Sequence, residues 1–351
     1  MSLAVGQSVA LPILDTAPQR PVFAQGPRDL ASVRLLRISV TDRCNLRCIY
    51  CMPEGGVEFS DKDELLQPAD FEAIARVAVG FGVTHLKLTG GEPTIRRDII
   101  DIAERLAALR PEDLSLTTNG LQLPRLAGPL RDAGVDRLTL SIDSLRPDRY
   151  ERITGGGRLD LFWRGVDAAT DAGFERLKFN VVVINGVNDD EVADFAALTR
   201  DHPWTVRFIE YMPLGESQLV RPGADPSAAI VDNAVIHRRI EAVHGPLAPV
   251  ERATEVGVGP ANVFRLPDAR GRVGFISAMS APFCATCNRL RLTATGELRS
   301  CLFDGGEVSM LPTLRPAPDP EFIARRFAEC VVLKPDTHSF RGNRAMSQLG
   351  G

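Results

Sequence analysis

Six short apolar runs, separated mostly by stretches of helical period, limit most strongly what this chain can fold into. Residues 34–40 (RLLRISV), 85–89 (HLKLT), 114–117 (LSLT), 137–142 (RLTLSI), 176–184 (RLKFNVVVI) and 205–211 (TVRFIEY) read as strands. Residues 68–82, 97–109, 122–133, 161–172 and 189–200 read as helices. The first of these opens on Pro68 and stops at Gly82, as helix ends prefer. Strands that alternate with helices pair in parallel, because each helix supplies the long return crossover. The expected fold class is α/β, a closed or partly closed barrel, with an open doubly wound sheet as the alternative. At 351 residues there is room for such a barrel and an appendage. The expected division is an N-terminal extension at 1–30, a barrel at 31–245 and a C-terminal region at 246–351.

The chemically unusual residues fall at one end of these strands. Cys44, Cys48 and Cys51 follow the first, and Gly90-Gly91-Glu92-Pro93 follows the second. Thr117 to Gly120 (TTNG) closes the third, Ser141 and Asp143 close the fourth, Asn180 lies within the fifth, and Met212 follows the sixth. Barrel active sites assemble at the carboxyl ends of strands. Each feature alone has an ordinary explanation. Paired glycines serve tight turns, Asn-Gly suits a strand exit, Met212 could pack, and Tyr50 could be a core aromatic. The functional reading of Gly90-Gly91 is that a ligand approaches the backbone there while Glu92 pairs with an amine. Their shared position favours a site.

The seven cysteines divide into Cys44-x-x-x-Cys48-x-x-Cys51, Cys284-x-x-Cys287 with Cys301, and a lone Cys330 expected to be a buried thiol. A structural zinc site wants four ligands, and each group offers three, with none of the five histidines beside either in the sequence. Iron–sulfur clusters are thiolate-bound, and two clusters with three cysteines each account for six. The first thirty residues contain four prolines and no basic lead-in to an apolar run, so an export signal and routine disulfides are disfavoured and a cytoplasmic location is the default. No apolar run approaches membrane-spanning length. The net charge of −4 argues against nucleic acid as a partner.

Cys-x-x-x-Cys-x-aromatic-Cys after the first strand, with GGEP after the second, resembles the radical S-adenosylmethionine (SAM) superfamily. Residues 37–53 (RISVTDRCNLRCIYCMP), 88–98 (LTGGEPTIRRD), TTNG, SIDSL, 207–213 (RFIEYMP), 283–303 (FCATCNRLRLTATGELRSCLF) and the terminal Gly350-Gly351 are similar to its GTP 3′,8-cyclase family of molybdenum-cofactor biosynthesis. Only residues 1–30 lie outside the resemblance. It implies a partial (β/α)6 barrel whose C-terminal region carries a second cluster. It further implies one [4Fe–4S] cluster on Cys44, Cys48 and Cys51 and another on Cys284, Cys287 and Cys301. SAM would contact Tyr50, Gly91, Ser141 and Met212. GTP would contact Arg37, Lys87, Thr117, Lys178, Arg289, Leu290 and Arg291. The Gly350-Gly351 tail would enter the active site. In related sequences the position of Lys87 is often arginine; lysine keeps the charge and loses the bidentate geometry.

The implied reaction is removal of the C3′ hydrogen of GTP by a 5′-deoxyadenosyl radical and closure onto C8. The implied partners are an electron donor of flavodoxin or ferredoxin type and a downstream cyclic pyranopterin monophosphate synthase, with the chain a monomer or homodimer. No protein acid or base is singled out. Arg37, Lys87, Lys178, Arg289 and Arg291 suit a triphosphate, which needs convergent cations; as ordinary surface charges they would be solvated. Arg96 and Arg97 have no assigned role. Two other functions stay open at this level: a radical enzyme with an auxiliary cluster that modifies a peptide, and a metal-binding protein without catalysis.

Overall fold

In a computed structural model, residues 26–215, 217–219, 225–251, 254–255, 257–303, 307–339, 342, 344 and 346–350 are described. Six strands lie side by side in chain order, all parallel. They are β1 (Leu35–Ser39), β2 (His85–Thr89), β3 (Asp113–Thr118), β4 (Arg137–Ser141), β5 (Lys178–Val183) and β6 (Thr205–Glu210). The crossovers contain α1 (Pro68–Gly80), α2 (Ile99–Ala107), α3 (Leu123–Asp132), α4 (Pro147–Thr154), α5 (Leu159–Asp171) and α6 (Val192–Ala197). The expected strands and helices are all present, within a few residues. The addition is α4, two turns with half of the residues charged, which bury only Tyr150, Ile153 and Thr154. Over two turns its apolar positions recur too few times to define a period.

The later chain forms α7 (Asn233–His244), β7 (Ala248–Pro249), β8 (Asn262–Arg265), β9 (Arg272–Ile276), β10 (Arg289–Leu292), β11 (Glu297–Arg299), β12 (Glu307–Ser309), α8 (Pro320–Val332) and α9 (Met346–Leu349). It does not stand apart from the barrel. β9 adds in parallel to β6, and β10 adds in parallel to β1, so one twelve-stranded sheet runs across the expected boundary near 245 at both edges. Both edges of the six-strand core are thereby paired, which removes the exposed ladder that an open barrel would present.

Strand alternation decides where the core sits. Leu36 and Ile38 of β1, Leu86 and Leu88 of β2, Leu114 and Leu116 of β3, and Phe179 and Val181 of β5 point outward. There they pack with Phe71, Ile74 and Ala78 of α1 and Ile102 and Leu106 of α2 in one buried cluster. The intervening residues point inward and are largely polar: Arg37, Lys87, Ser115, Thr117, Lys178, Asn180 and Arg207. The interior is therefore a lined cavity, unlike a full barrel whose centre is filled by branched apolar side chains. Among the described residues no helix is long and apolar enough to cross a membrane.

One glycine on α5 is fixed by this packing. A Cβ on Gly165 would lie 2.2 Å from the carbonyl oxygen of Gly120, in the turn that closes β3. A Cβ on Gly80, the last residue of α1, would meet nothing within 4 Å. Denaturant unfolding should show Gly165→Ala less stable by about 1–3 kcal/mol. Gly80→Ala should be neutral or more stable by about 0.5 kcal/mol.

Candidate active site

The loop after β1 carries the first triad and is pinned on two sides. Gly91 N–H donates to Thr41 O (2.7 Å) and Glu92 N–H to Arg43 O (2.8 Å). Arg47 N–H donates to Thr154 O (2.8 Å) and Ile49 N–H to Ile153 O (2.9 Å), at the end of α4. A Cβ on Gly90 would stand 2.6 Å from Thr41 O, and one on Gly91 2.3 Å from Arg43 O. The glycine pair is thus required by the cysteine loop itself, which approaches too closely for any side chain. Glu92 is buried, and its carboxylate accepts from Thr94 N–H (3.0 Å), Thr94 Oγ1 (2.5 Å), Thr118 Oγ1 (2.6 Å) and Asn119 N–H (2.7 Å). Its role in this structure is to tie the exit of β2 to the exit of β3.

Cys44, Cys48 and Cys51 are half-buried, line the cavity and form no disulfide. Burial pushes the Cys44 thiol up to about 11. It also raises Cys48, with further contributions from Cys51, Asp143 and Cys44. Thiols that raise one another lie within mutual electrostatic reach, which is the donor set a cationic iron cluster takes up as thiolates. Among the described residues no three metal-ligating side chains converge on a single-ion position; a four-iron cluster holds its thiolates farther apart. Beside the triad, Tyr50 Oη donates to Asp143 Oδ2 (2.9 Å), and Asp143 Oδ1 accepts from Val182 N–H (2.8 Å). Burial pushes the Asp143 carboxyl up to about 6. Gly91, Ser141 and Met212 line the same end of the cavity.

The second triad enters beside the amino-terminal end of β1, where β10 pairs with that strand. Cys284 and Cys287 sit in the turn before β10. β11 runs back antiparallel with Arg291 opposite Arg299, which carries Cys301 toward Arg289. Because β10 pairs with β1 in the register Leu35–Arg289 and Arg37–Arg291, this group faces the same cavity as the first. Burial opposes ionisation of Cys287, but Arg289 and Lys334 outweigh it and draw the thiol below its usual value. The Lys334 ammonium donates to Cys287 O (2.8 Å). His338, distant in sequence from every cysteine but Cys330, lines the cavity beside Cys284, stacked 4.0 Å from Phe303 and bonded to Ala278 O (2.7 Å). Cys330 is buried on α8, as expected, with its thiol pushed up to about 12.

Between the triads stands a wall of cations around a cavity of about 350 Å3. Arg37, Lys87, Lys178, Arg289 and Arg291 all line it. Arg207, which the sequence reading assigned no role, joins them on the inner face of β6. Burial, then repulsion from neighbouring cations, lowers Arg37, Lys87, Lys178, Arg207 and Arg291. Lys178 falls to about 7, through burial and then Arg207 and Arg137, and Arg291 falls to about 10, through burial and then Arg289. Lys87 Nζ donates to Thr139 Oγ1 (3.2 Å), and Arg207 Nη2 points at the same hydroxyl (3.4 Å). Thr117 Oγ1, Asn180 Oδ1, Arg207 Nε and Arg289 Nε are buried with no hydrogen-bond partner among the described residues. Buried polar atoms of this kind call for a polar ligand.

One expectation needs revision, and Arg96 and Arg97, to which no role was assigned, can be placed. Leu290 does not face the cavity: alternation along β10 turns its fully buried side chain into the apolar core beside Leu36. Arg96 is structural, bonded to Leu66 O (2.7 Å), Val40 O and Asp98, while Arg97 is exposed. The tail does reach the site. Gly350 O accepts from Arg291 Nη1 (3.0 Å), Arg37 Nη2 (3.2 Å) and Thr89 Oγ1 (3.3 Å). A Cβ on Gly350 would lie 2.7 Å from Thr89 Oγ1, at a φ of +68°. Gly351 lies outside the described residues.

Comparison with known proteins agrees with this arrangement. Residues 38–199 match the radical SAM superfamily and residues 204–340 match the Molybdenum Cofactor Synthesis C family. The chain is 47% identical over 324 residues to the GTP 3′,8-cyclase of Pelotomaculum thermopropionicum, covering 91% of this chain and 98% of that protein. It is 46% identical to the enzyme of that name from Moorella thermoacetica, covering 91% and 98%, and 44% identical to that from Geobacter sulfurreducens, covering 91% and 97%. The fold is shared with Streptococcus suis SuiB bound to S-adenosylmethionine (TM-score 0.58, 16% identity, 84% of this chain and 68% of that one). With cysteine loop, inner cations and both family matches in agreement, the chain belongs to the radical SAM superfamily and, within it, to the GTP 3′,8-cyclase family.

Proposed function

We infer that this chain cyclises GTP to (8S)-3′,8-cyclo-7,8-dihydroguanosine 5′-triphosphate, the first step of molybdenum-cofactor biosynthesis. The observation that carries this reading is two cysteine triads lining one cavity whose wall between them is cationic. Cys44, Cys48 and Cys51 would hold the superfamily's [4Fe–4S] cluster, with SAM against Tyr50, Gly91, Ser141 and Met212. Cys284, Cys287 and Cys301 would hold a second [4Fe–4S] cluster facing the guanine. When bound, the first cluster and SAM would supply a 5′-deoxyadenosyl radical able to take the C3′ hydrogen of GTP; closure of C3′ onto C8 would then be completed by one electron and one proton.

The chain's own residues position the reactants. Asp143 fixes the Tyr50 ring through one hydrogen bond and is itself fixed by Val182 N–H. Arg37, Lys87, Lys178, Arg207 and Arg291 would neutralise the triphosphate and set the depth of the ribose, the kind of placement that reduces a barrier by orientation. Thr117 Oγ1 and Asn180 Oδ1 offer unused hydrogen-bonding atoms on the inner wall for the nucleoside. Enclosure by the sheet excludes water from a reactive radical. A flavodoxin- or ferredoxin-type donor would supply electrons, and a cyclic pyranopterin monophosphate synthase would consume the product, in the cytoplasm.

Anaerobically reconstituted protein given GTP, SAM and a reductant should form 5′-deoxyadenosine only when GTP is present; absence of that dependence would sink the reading. Iron content should stand near about eight per chain and fall to about four in Cys287→Ala. SAM binding should persist in that variant, and GTP should no longer perturb its cluster spectrum. GTP binding should also be linked to protons. Lys178 is held near 7 by burial, Arg207 and Arg137, against the pull of Glu255 and Asp113, and Lys87 is likewise lowered. A bound triphosphate raises both, so binding takes up protons above pH 7, and affinity is full below that value and declines as pH rises. Calorimetry at pH 8 in buffers of different ionisation enthalpy should show net uptake, reduced in Lys178→Met.

A further inference from the structure

The cavity does not end on an apolar floor. The amino-terminal residues of neighbouring strands line it: His85 on β2, Asp113 on β3, Arg137 on β4, Lys178 on β5 and Thr205 on β6. Beneath them lies a second cavity of about 160 Å3. Arg137, Lys178, Thr205 and Glu255 line both, so the two spaces meet at these side chains.

This lower space is strongly basic. Arg176, Arg265, Arg270 and Arg272 join Arg137 and Lys178 around it; Glu255 is ion-paired with Arg272 and Asp113 with Arg137, which leaves the basic side chains in clear excess. Such a concentration stands out on a chain whose net charge is −4. Arg176, Arg265 and Arg270 are exposed at the rim. Two residues above Thr205 on the same face of β6, Arg207 Nε is buried without a partner, so the run of cations continues from rim to interior. The other mouth, at the carboxyl ends of the strands, holds the first cysteine loop and the tail bound through Gly350.

We propose that the amino-terminal end of the barrel is a second mouth, through which the nucleoside triphosphate enters, steered by the arginines at its rim. The proposal rests on the GTP reading above and adds a route and a recognition surface to it. A cleft lined by one sign of charge focuses the field and speeds capture of the opposite charge. Entry from this side would bring the triphosphate past Lys178 and Arg207 while SAM occupies the opposite end.

The test is the association rate of radiolabelled GTP with the cluster-loaded protein, followed by rapid filtration, in wild type and Arg176→Glu/Arg265→Glu. At low salt the variant should capture GTP at least about tenfold more slowly. The gap should close near 1 M salt, where screening acts within about 3 Å. Turnover at saturating GTP and SAM binding should match wild type, which shows that fold and site are intact. Equal GTP capture rates at low salt would overturn the second mouth and leave the cyclase reading standing. Loss of saturating turnover together with the rate would also overturn it, because rim arginines that only steer cannot alter the bound state. Wild type that captures no GTP would remove the cyclase reading, and the second mouth with it.

Discussion

The parallel pairing of β10 with β1 is the contact on which the two halves of the site depend. It joins residues more than two hundred positions apart in sequence and sets Arg291 beside Arg37. With that register fixed, the β10–β11 hairpin delivers Cys301 to Cys284 and Cys287, and all three face the cavity that Cys44 lines. A slip of one residue would turn Arg289 and Arg291 into the apolar layer and put Leu290 in their place. The apolar cluster of Leu36, Leu290 and Leu292 forbids this, since it would bury two guanidiniums without partners. The same burial that stabilises the sheet therefore positions the chemistry.

Crowding of like charges follows from that register, and it has a price in the unliganded protein. Arg37, Lys87, Lys178, Arg207, Arg289 and Arg291 share one wall, and burial and mutual repulsion lower most of them. The polar inner face relieves part of this. Gly350 O lies between Arg37 and Arg291, and Thr139 Oγ1 lies between Lys87 and Arg207. Neutral oxygens solvate cations without cancelling them, so the wall keeps a strong preference for an anion. Lys87 is placed to make one point contact, as an ammonium does, while Arg207 supplies a planar group next to it.

Much of this was legible in the residues. The six strands, helices α1, α2, α3, α5 and α6 and both triads follow from period and spacing, because each is a local property. The inner cations on strands β1, β2, β5 and β10 were legible through the resemblance and agree with alternation. What escaped was non-local. His338 meets Cys284 only through the packing of the segment after α8. Arg207 gains meaning only when β6 is known to show that face to the cavity. The need for Gly90-Gly91 comes from the close approach of the Thr41–Arg43 backbone, a distance that no spacing encodes. Leu290 was drawn in with its neighbours because a motif is contiguous, whereas a strand alternates.

The shared fold with SuiB at 16% identity shows how little of the specificity resides in the architecture. The cysteine loop, its glycine seat and the Glu92 clamp between β2 and β3 make a device for radical initiation that any substrate could use. Selection of a nucleoside triphosphate has to come from the remaining inward positions, and these are contributed one or two at a time by seven strands and by the tail. No one of them is a motif. Together they place fixed positive charge at successive depths along the barrel, from Arg37 and Arg291 beside the tail to Arg207 and Lys178 lower in the cavity. A ligand that satisfies all of them must carry negative charge spread over a length, and a triphosphate does so where a peptide backbone or a neutral base does not.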